Sequence, residues 1–341
     1  MAFRGIRAIG LTKSFEKKKE KGLPSPESKK SVPKGILAVD DVNLDIPKGM
    51  LFGLLGPNGA GKTTTIRLLS TLLLPDQGTA IVNGYDVVRQ PNQVRSSIGV
   101  VTGGERGLYW RLTGRENLQF FARLYGLREN ESRTRIEELL RLVELQDRAD
   151  DTVEKYSRGM KQRLHLIKGL VHDPPVLLLD EPTLGFDPNS AVVIRDFIKE
   201  KLQKEQGKTI LLTTHYMEEA DQLCDRIAII DQGKIVSQGS PEELKQGVRK
   251  IAIIRVSASN VAESLISQLK NLLGVREVEL TVVDPVIGLA DIVIHTESAE
   301  ETLPEFTETL VKAGARIRLI EQQMPSLEDV FISLTGRRLR D

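Results

Sequence analysis

Apolar and polar positions along the first part of the chain predict strands of two kinds. Val42, Leu44 and Ile46 alternate with polar residues, which indicates a strand with one buried face. Other stretches are apolar without alternation, as in parallel strands that are covered on both faces. These uninterrupted stretches lie at 176–179, 209–213 and 226–230. The two patterns together predict an α/β protein that contains a parallel sheet.

Two shorter patterns add strands near the N-terminal end of this region. A brief apolar run predicts a first strand at 6–11. Asn83 and Gly84 separate the apolar runs 80–82 and 85–88, and this dipeptide favours a two-residue hairpin. An antiparallel portion is therefore expected beside the parallel sheet.

Two segments depart from the α/β pattern. From 104 to 170 the strand signal disappears, and Ile136, Leu139 and Val143 recur at helical spacing, which predicts an inserted helical block. From 16 to 35 the chain reads EKKKEKGLPSPESKKSVPKG and has almost no apolar residue. Such a segment buries too little surface to offset its conformational entropy, so it is predicted to be a disordered insertion.

The pattern predicts a domain boundary near position 240, which separates domain 1–240 from a smaller domain at 241–341. The predicted elements of the second domain are strand 251–256, helix 261–273, strand 275–283, strand 292–295, helix 303–313 and strand 316–320. This β-α-β-β-α-β order indicates a ferredoxin-like α+β domain. A last helix at 327–334 precedes a basic tail.

One stretch carries a phosphate-binding pattern, G-x-x-x-x-G-K-T between Gly56 and Thr63, after an apolar run and before a helical pattern. Its glycines allow successive backbone N–H groups to point at an anion. Lys62 can reach the β- and γ-phosphates of a nucleoside triphosphate, and the Thr63 hydroxyl can ligate Mg²⁺. The residues of this predicted nucleotide site are Gly56, Pro57, Asn58, Gly59, Ala60, Gly61, Lys62, Thr63 and Thr64.

A pair of acidic residues follows the buried run at 176–179 and completes the predicted chemistry. Asp180 emerges from this strand and, with Thr63, can hold Mg²⁺. Glu181 points elsewhere and can polarise a water in line with the γ-phosphate, so Glu181 and Lys62 are candidate catalytic residues. The competing interpretation is that the two acidic residues only cap the next helix.

These motifs and three others resemble the nucleotide-binding subunit of an ATP-binding cassette (ABC) transporter over 6–240. The further motifs are the signature YSRGMKQRL at 156–164, the D-loop LGFDP at 184–188 and the switch LLTTH at 211–215. The C-terminal PSLEDVFISLTGR at 325–337 resembles the ending of the exporter branch that includes drug-resistance and ABC-2 type ATPases.

The resemblance implies a P-loop NTPase fold of the ABC type, with a RecA-like core, an antiparallel β subdomain and an inserted helical subdomain, besides the ferredoxin-like domain. It also implies a head-to-tail homodimer, in which Ser157 and Gly159 of one subunit meet the ATP held by the other. Asp187 would lie across that interface, and His215 would hydrogen-bond the γ-phosphate as a third catalytic residue. Phe15 stands where the family places an aromatic residue on adenine, although it is also consistent with a core residue that ends the first strand.

The chain departs from the family pattern in two motifs. The signature has Tyr156 for leucine, Arg158 for its first glycine and Met160 for glutamine, but it keeps the residues expected to face phosphate. Gly103 stands where the family usually has a glutamine that contacts Mg²⁺ or the attacking water. Glu105 is a candidate substitute, and water is the alternative.

Composition limits the cellular role. The formal net charge of +1 gives no general argument for nucleic-acid binding, and the lone Cys224 cannot form an intrachain disulfide, which favours a reducing compartment. No stretch approaches the length of apolar residues that spans a bilayer. The chain is therefore expected in the cytoplasm, peripheral on the cytoplasmic face of the membrane.

The function expected from motifs and resemblance is the ATP-binding and hydrolysing subunit of an ABC-2 type exporter. ATP and Mg²⁺ are its expected ligands, and a separate membrane permease and a second copy of the chain are its expected partners. One alternative is a soluble ABC ATPase that acts on ribosomes or DNA. Another is a nucleotide-binding regulator with little turnover, which the missing glutamine at Gly103 makes conceivable.

Overall fold

The structure is a computed structural model that describes residues 5–15, 35–102, 107–247, 252–261, 265–272, 274–284, 288–296, 298–323 and 325–336. All but the last residue of the predicted insertion lies outside these ranges, as do Gly103, Glu105 and the end of the basic tail. Between Ser240 and Pro241 the chain divides into two compact units, and each is described by itself.

The first unit combines two sheets with a helical block. Its strands are β1 (Gly5–Phe15), β2 (Ile36–Pro47), β3 (Leu51–Leu55), β4 (Gln77–Val82), β5 (Tyr85–Asp86), β6 (Ile98–Val101), β7 (Val176–Asp180), β8 (Thr209–Thr214), β9 (Arg226–Asp231) and β10 (Lys234–Gly239). Its helices are α1 (Lys62–Leu69), α2 (Pro91–Ser97), α3 (Gly114–Leu124), α4 (Glu129–Leu142), α5 (Arg158–Lys168), α6 (Pro188–Asp196), which continues as a π-helix (Phe197–Glu205), and α7 (Met217–Leu223). Two short 3₁₀ helices, Gln146–Arg148 and Val153–Lys155, precede α5.

The central sheet of this unit has six strands in the order β10-β9-β3-β8-β7-β6. Neighbouring strands are parallel except for β10, which runs antiparallel to β9. Every residue of β3, β7 and β8 is buried, and so are residues 227–230 of β9. The apolar runs 176–179, 209–213 and 226–230 are therefore confirmed as buried parallel strands, except that Arg226 is exposed. Because the carboxyl ends of parallel strands meet at one edge, the segments that follow β3, β7 and β8 converge there.

The second sheet is antiparallel, with the order β2-β1-β4-β5. Val42, Leu44 and Ile46 are buried and the residues between them are exposed, as the alternation predicts. The hairpin predicted at Asn83 and Gly84 also forms, since β4 and β5 pair antiparallel across it.

Two strand boundaries predicted in this sheet were wrong. The first strand does not stop at residue 11 but runs to Phe15, because its second half pairs with the start of β2 and so gains hydrogen-bond partners. The strand predicted at 85–88 ends at Asp86. The Asp86 carboxylate accepts the backbone N–H groups of Val88 and Arg89, which turns the chain out of the sheet.

The helical block between β6 and β7 is confirmed. A capping box, in which Thr113 and Glu116 bond each other's backbone N–H, begins α3. On α4, Ile136 and Leu139 are buried, as their helical spacing predicts. Among the described residues of the whole chain, no helix is both long and apolar enough to cross a membrane.

The second unit is a four-stranded antiparallel sheet packed with helices. Its elements are α8 (Pro241–Gly247), β11 (Ala252–Ser259), α9 (Leu265–Lys270), β12 (Val275–Asp284), β13 (Leu289–Thr296), α10 (Ala299–Lys312), β14 (Arg316–Gln323) and α11 (Leu327–Thr335). The sheet order β12-β13-β11-β14, with all neighbours antiparallel, is that of a ferredoxin-like domain. Leu269, Phe306 and Leu310 of the helices pack against this sheet in one core.

The helices of this unit differ in extent from the sequence-based prediction. The short α8 was not predicted at all. The helix predicted at 261–273 is observed over Leu265–Lys270, within the described residues. The helix α10 begins before Leu303, because the Ser298 side chain accepts the N–H of Glu301 and caps an earlier start.

Candidate nucleotide site

The loop between β3 and α1 needs glycine at several positions. Gly59 and Gly61 have positive φ angles of 81° and 108°, a region that glycine adopts without strain. At Gly56 an added Cβ would lie 2.2 Å from the carbonyl oxygen of Ile230, so only glycine fits there. No side chain caps α1, which leaves the N–H groups of its first turn available to a ligand.

Lys62, the first residue of α1, lies folded back over this loop. Its side chain is buried, and Nζ donates to the carbonyl oxygens of Gly56 at 2.6 Å and Pro57 at 3.0 Å. The same nitrogen lies 3.5 Å from Oε1 of Glu181. Burial lowers the pKa of Lys62, and the charges of Glu181 and Asp180 oppose that shift. The ammonium therefore has partners that a triphosphate can replace.

Asp180 at the end of β7 faces Thr63 at the start of α1. The Thr63 hydroxyl donates to Oδ1 of Asp180 at 3.2 Å, and the hydroxyl of Thr213 on β8 donates to the same oxygen at 2.5 Å. Hydroxyl and carboxylate oxygens are the ligands that Mg²⁺ prefers, so these two residues fit the ion. Among the described residues no cluster of three or more histidine, cysteine or acidic side chains could hold a metal. Phosphate oxygens and water would have to supply its remaining ligands.

Glu181 and His215 come together at the same edge of the sheet. The His215 Nδ1 lies 3.1 Å from Oε1 of Glu181, and the Glu181 N–H donates to the Thr213 carbonyl oxygen at 3.0 Å. Glu181 has a φ of +51°, which is unusual for a residue with a side chain and turns it away from the direction of Asp180. The two carboxylates therefore project separately, as metal binding and water activation require.

A cavity of about 570 Å³ opens above the phosphate loop. Its lining residues are Ala38, Pro57, Asn58, Gly59, Gly61, Lys62, Thr63, Thr64, Arg67, Leu72, Thr102, Asp180, Glu181 and Leu184. Most of the predicted loop residues and both acidic residues lie in this one space. Its volume is ordinary for a small-ligand site.

Seven predicted site residues do not line the cavity. Gly56 and Ala60 belong to the phosphate loop, and His215 contacts Glu181. The other four are Ser157, Gly159, Asp187 and Phe15. Ser157 is the N-cap of α5, where its exposed hydroxyl accepts the N–H of Met160 at 3.2 Å, and Gly159 lies in the first turn of that helix. Asp187 is the exposed N-cap of α6 and accepts the N–H of Ser190 at 3.0 Å. Phe15 ends β1 with 40% of its surface exposed, so its interpretation as a core residue was wrong.

Two residues that shape the site were not predicted. The buried Thr213 hydroxyl bonds Asp180, and the buried Glu219 carboxylate on α7 accepts the Thr183 hydroxyl at 2.7 Å. Thr213 had a signal in the sequence, because it is a polar residue at the carboxyl end of a buried parallel strand. Glu219 had no such signal in the sequence, because an acidic residue on a helix with several acidic residues is normally expected to face solvent.

The site combines a phosphate loop, a pair of acidic residues and a cavity, all at the carboxyl edge of a parallel sheet. This combination defines the class of P-loop nucleoside triphosphatases. Comparison with known proteins narrows this class. Residues 39–184 match the ABC transporter family, and residues 239–335 match the C-terminal domain of DrrA1-3-like ATP-binding proteins.

Relatives cover most of the chain. The linearmycin resistance ATP-binding protein LnrL of Bacillus subtilis (strain 168) is 38% identical over 92% of this chain and 96% of its own length. The ABC transporter ATP-binding protein NatA of the same organism is 46% identical over 63% of this chain and 87% of its own length. A dimeric post-hydrolysis structure of the ATP-binding cassette MJ0796, bound to ADP and Pi, superposes with a TM-score of 0.60 at 25% identity, over 69% of this chain and 98% of that one.

The chain belongs to the family of ABC transporter ATP-binding proteins. Its fold is that of the ABC-type P-loop ATPases, and ATP binding and hydrolysis are its activity. The resemblance seen in the sequence is thereby confirmed. None of the relatives named above is described as acting on ribosomes or DNA, so that alternative has no support.

Proposed function

We propose that the chain powers an ABC-2 type exporter by ATP-driven closure of a homodimer. One observation carries this proposal: Ser157 caps α5 with an exposed hydroxyl, yet it does not line the nucleotide cavity of its own chain. A second copy has to supply this group to the ATP. The dimeric state of the MJ0796 cassette supports the same arrangement.

The residues of the cavity have separate roles in this mechanism. Backbone N–H groups of the phosphate loop, Gly56 and 58–64, bind the phosphates, and Lys62 leaves the loop carbonyls to bind the β- and γ-phosphate oxygens. Thr63 and Asp180 hold Mg²⁺, which when bound neutralises charge that develops on the phosphates. These contacts position the γ-phosphate rather than react with it.

Hydrolysis then depends on the two residues that now contact each other. Once the γ-phosphate attracts His215, the carboxylate of Glu181 becomes available to accept a hydrogen bond from the attacking water. His215 donates to the γ-phosphate and stabilises its charge as the bond to the leaving oxygen lengthens. Phe15, exposed at the end of β1, stacks on the adenine.

Residues outside the cavity act on the partner subunit's nucleotide. The Ser157 hydroxyl and the N–H of Gly159 donate to the γ-phosphate held by the other copy, and Asp187 lies across the interface. ATP favours the closed dimer because its γ-phosphate contacts both copies, whereas ADP lacks that group. Hydrolysis therefore reopens the dimer.

The same proposal assigns partners and location. Domain 1–240 is the ATP-binding domain and 241–341 an accessory domain. A separate ABC-2 type permease spans the membrane, and the chain is cytoplasmic and peripheral on the cytoplasmic face of that membrane. The relatives described as resistance proteins, such as LnrL, support export as the direction.

Mixing two inactive variants tests the shared site. Lys62→Met disables the phosphate loop and Ser157→Ala the trans contact, so a mixed dimer retains one intact site, built from the loop of one copy and the serine of the other. In a 1:1 mixture we expect recovery of at most about one quarter of the wild-type ATPase rate, because half of the dimers are mixed and each has one complete site of two.

The matched control mixes Lys62→Met with Asp180→Asn, two variants of the same cis half, which leaves no intact site in any dimer. Thermal melts establish that each variant is folded. Absence of recovery in the first mixture, with all variants folded, contradicts the proposal. Recovery in both mixtures contradicts it as well.

A further inference from the structure

The first turns of α5 contact the D-loop at Leu184 and Gly185. Arg158 and Gln162 are four residues apart and therefore lie on the same helix face. Gln162 donates through Nε2 to the carbonyl oxygen of Leu184 at 2.6 Å. The guanidinium of Arg158 packs on the backbone of Gly185 so closely that an added Cβ there would lie 2.4 Å from Nη2. We name these two interactions the α5 clamp.

The Arg158 contact of the α5 clamp uses the space that glycine leaves at position 185. Gly185 has a φ of +80°, a region that favours glycine, and the missing side chain makes room for the guanidinium. Arg158 stands where the family signature has its first glycine. Within the described part of the chain, Arg158 has no ion pair that would otherwise explain this position.

The Leu184–Gly185 turn lies a few residues after Glu181, the proposed catalytic glutamate. The N–H of Leu184 donates to the Glu181 carbonyl oxygen at 3.1 Å, and the N–H of Phe186 donates to that of Thr183 at 3.1 Å. These two bonds fold the segment from Glu181 to Asp187 into consecutive turns. Only this short, hydrogen-bonded segment and the α5 clamp separate Ser157 from Glu181.

We propose that Arg158 and Gln162 are positioning residues that couple the two ATP sites of the dimer. The inference rests on the proposed function, in which Ser157 contacts the ATP of the other copy. When Ser157 binds the ATP of the other copy, a shift of α5 is transmitted by the α5 clamp to the Leu184–Gly185 turn. That turn is continuous with Glu181 in the chain's own site. Occupation of one site thereby aligns the catalytic residue of the other, which is a coupling free energy between sites.

The test uses the full-length chain and measures dimer formation and ATPase rate as functions of ATP concentration. Arg158→Ala and Gln162→Met remove the two clamp interactions. Relative to wild type, we expect the ATP concentration for half-maximal dimer to rise about fivefold or more and the Hill coefficient of the ATPase to fall towards 1. Dimers are trapped for the first measurement in a Glu181→Gln background.

Two controls separate coupling from damage to the site. ADP binding reports on each chain's own loop, because ADP lacks the phosphate that bridges the copies, and it should be unchanged in both variants. Lys161→Ala alters the same helix on another face, where the ammonium lies over the Trp110 ring, and should keep wild-type cooperativity.

The outcomes distinguish this inference from the function on which it rests. If Ser157→Ala abolishes dimers while both clamp variants keep wild-type cooperativity, the inference is overturned and the proposed function stands. If Ser157→Ala dimerises like wild type, the proposed function fails and the inference with it. If the clamp variants lose ADP affinity in parallel, the residues shape the site itself, which also overturns the coupling role.

Discussion

Replacing Glu219 by alanine or by glutamine measures how the edge of the sheet is held together behind the site. Glu219 is buried on α7, the helix that follows His215, and its carboxylate accepts the Thr183 hydroxyl at 2.7 Å. Thr183 lies two residues after Glu181. One hydrogen bond thus joins the segments that carry the two proposed catalytic side chains.

The magnitude follows from what each variant leaves behind. Glu219→Ala strands the buried Thr183 hydroxyl, which costs about 1 to 3 kcal/mol, and removes one buried methylene, worth about 0.8 kcal/mol. We expect the free energy of unfolding to fall by about 2 to 4 kcal/mol. Glu219→Gln keeps an oxygen acceptor for Thr183, so its loss should stay within about 1 kcal/mol.

The pH dependence has a defined sign. Burial raises the pKa of Glu219 above its ordinary value of 4.5, although the hydroxyls of Thr214 and Thr183 oppose the shift. The folded protein therefore binds this proton more tightly than the unfolded chain does. Well below pH 4.5 the Glu219 carboxyl is protonated in both the folded and the unfolded state, so it causes no pH dependence of stability there. The free energy of unfolding falls as pH rises from 4.5 through the folded pKa. The glutamine variant lacks this loss.

Urea unfolding across a pH series, together with steady-state ATPase measurement, tests the reasoning. We expect Glu219→Ala to lower kcat about tenfold while ATP affinity is retained. Misalignment of Glu181 and His215 that raises the activation free energy by about 1.4 kcal/mol is enough for this effect. Equal losses of stability in the alanine and glutamine variants would refute the role of the Thr183 bond. Wild-type stability that rises relative to the glutamine variant above pH 4.5 would refute the sign of the shift.

Three further predictions concern the nucleotide directly. Lys62→Met should weaken ATP binding about a thousandfold, since a charge pair near 4 Å is worth about 4 kcal/mol at a protein surface; calorimetric titration measures this, and an affinity within tenfold of wild type would contradict it. Asp180→Asn should raise the Mg²⁺ concentration for half-maximal ATPase about tenfold or more, because a charged ligand is lost; an unchanged Mg²⁺ dependence removes Asp180 from the metal. Phe15→Ala should weaken ATP binding about tenfold, as expected for one lost base stack, and Phe15→Tyr should restore it; equal affinities of all three proteins would place the adenine elsewhere.

Much of the site could be predicted from sequence because its parts are local. The phosphate loop and His215 directly follow buried strands and Asp180 ends one, and parallel strands bring such ends to one edge without further information. Strand order was not needed to expect this convergence. The ferredoxin-like sheet followed in the same way from the order of its elements.

What sequence could not supply are partners far apart along the chain. Thr183 and Glu219 bond across 36 positions, and no local pattern marks either residue as buried. Strand ends are hard to predict for the same reason, because β1 extends only as far as β2 offers it hydrogen-bond partners. The residues of the α5 clamp likewise meet only after the helical block has packed beside the D-loop.

In the structure, the charged groups that the mechanism assigns to ATP satisfy one another. Lys62 and His215 lie 3.5 Å and 3.1 Å from the same oxygen of Glu181, so one carboxylate neutralises the cation and accepts the histidine. In the proposed mechanism, a γ-phosphate offers both residues stronger acceptors and thereby frees Glu181 for water. ADP cannot compete for His215, since it lacks that phosphate. In the same proposed mechanism, this exchange of partners links release of Glu181 to the presence of a hydrolysable bond, and the Lys62 ammonium keeps an anionic partner before and after ATP binds.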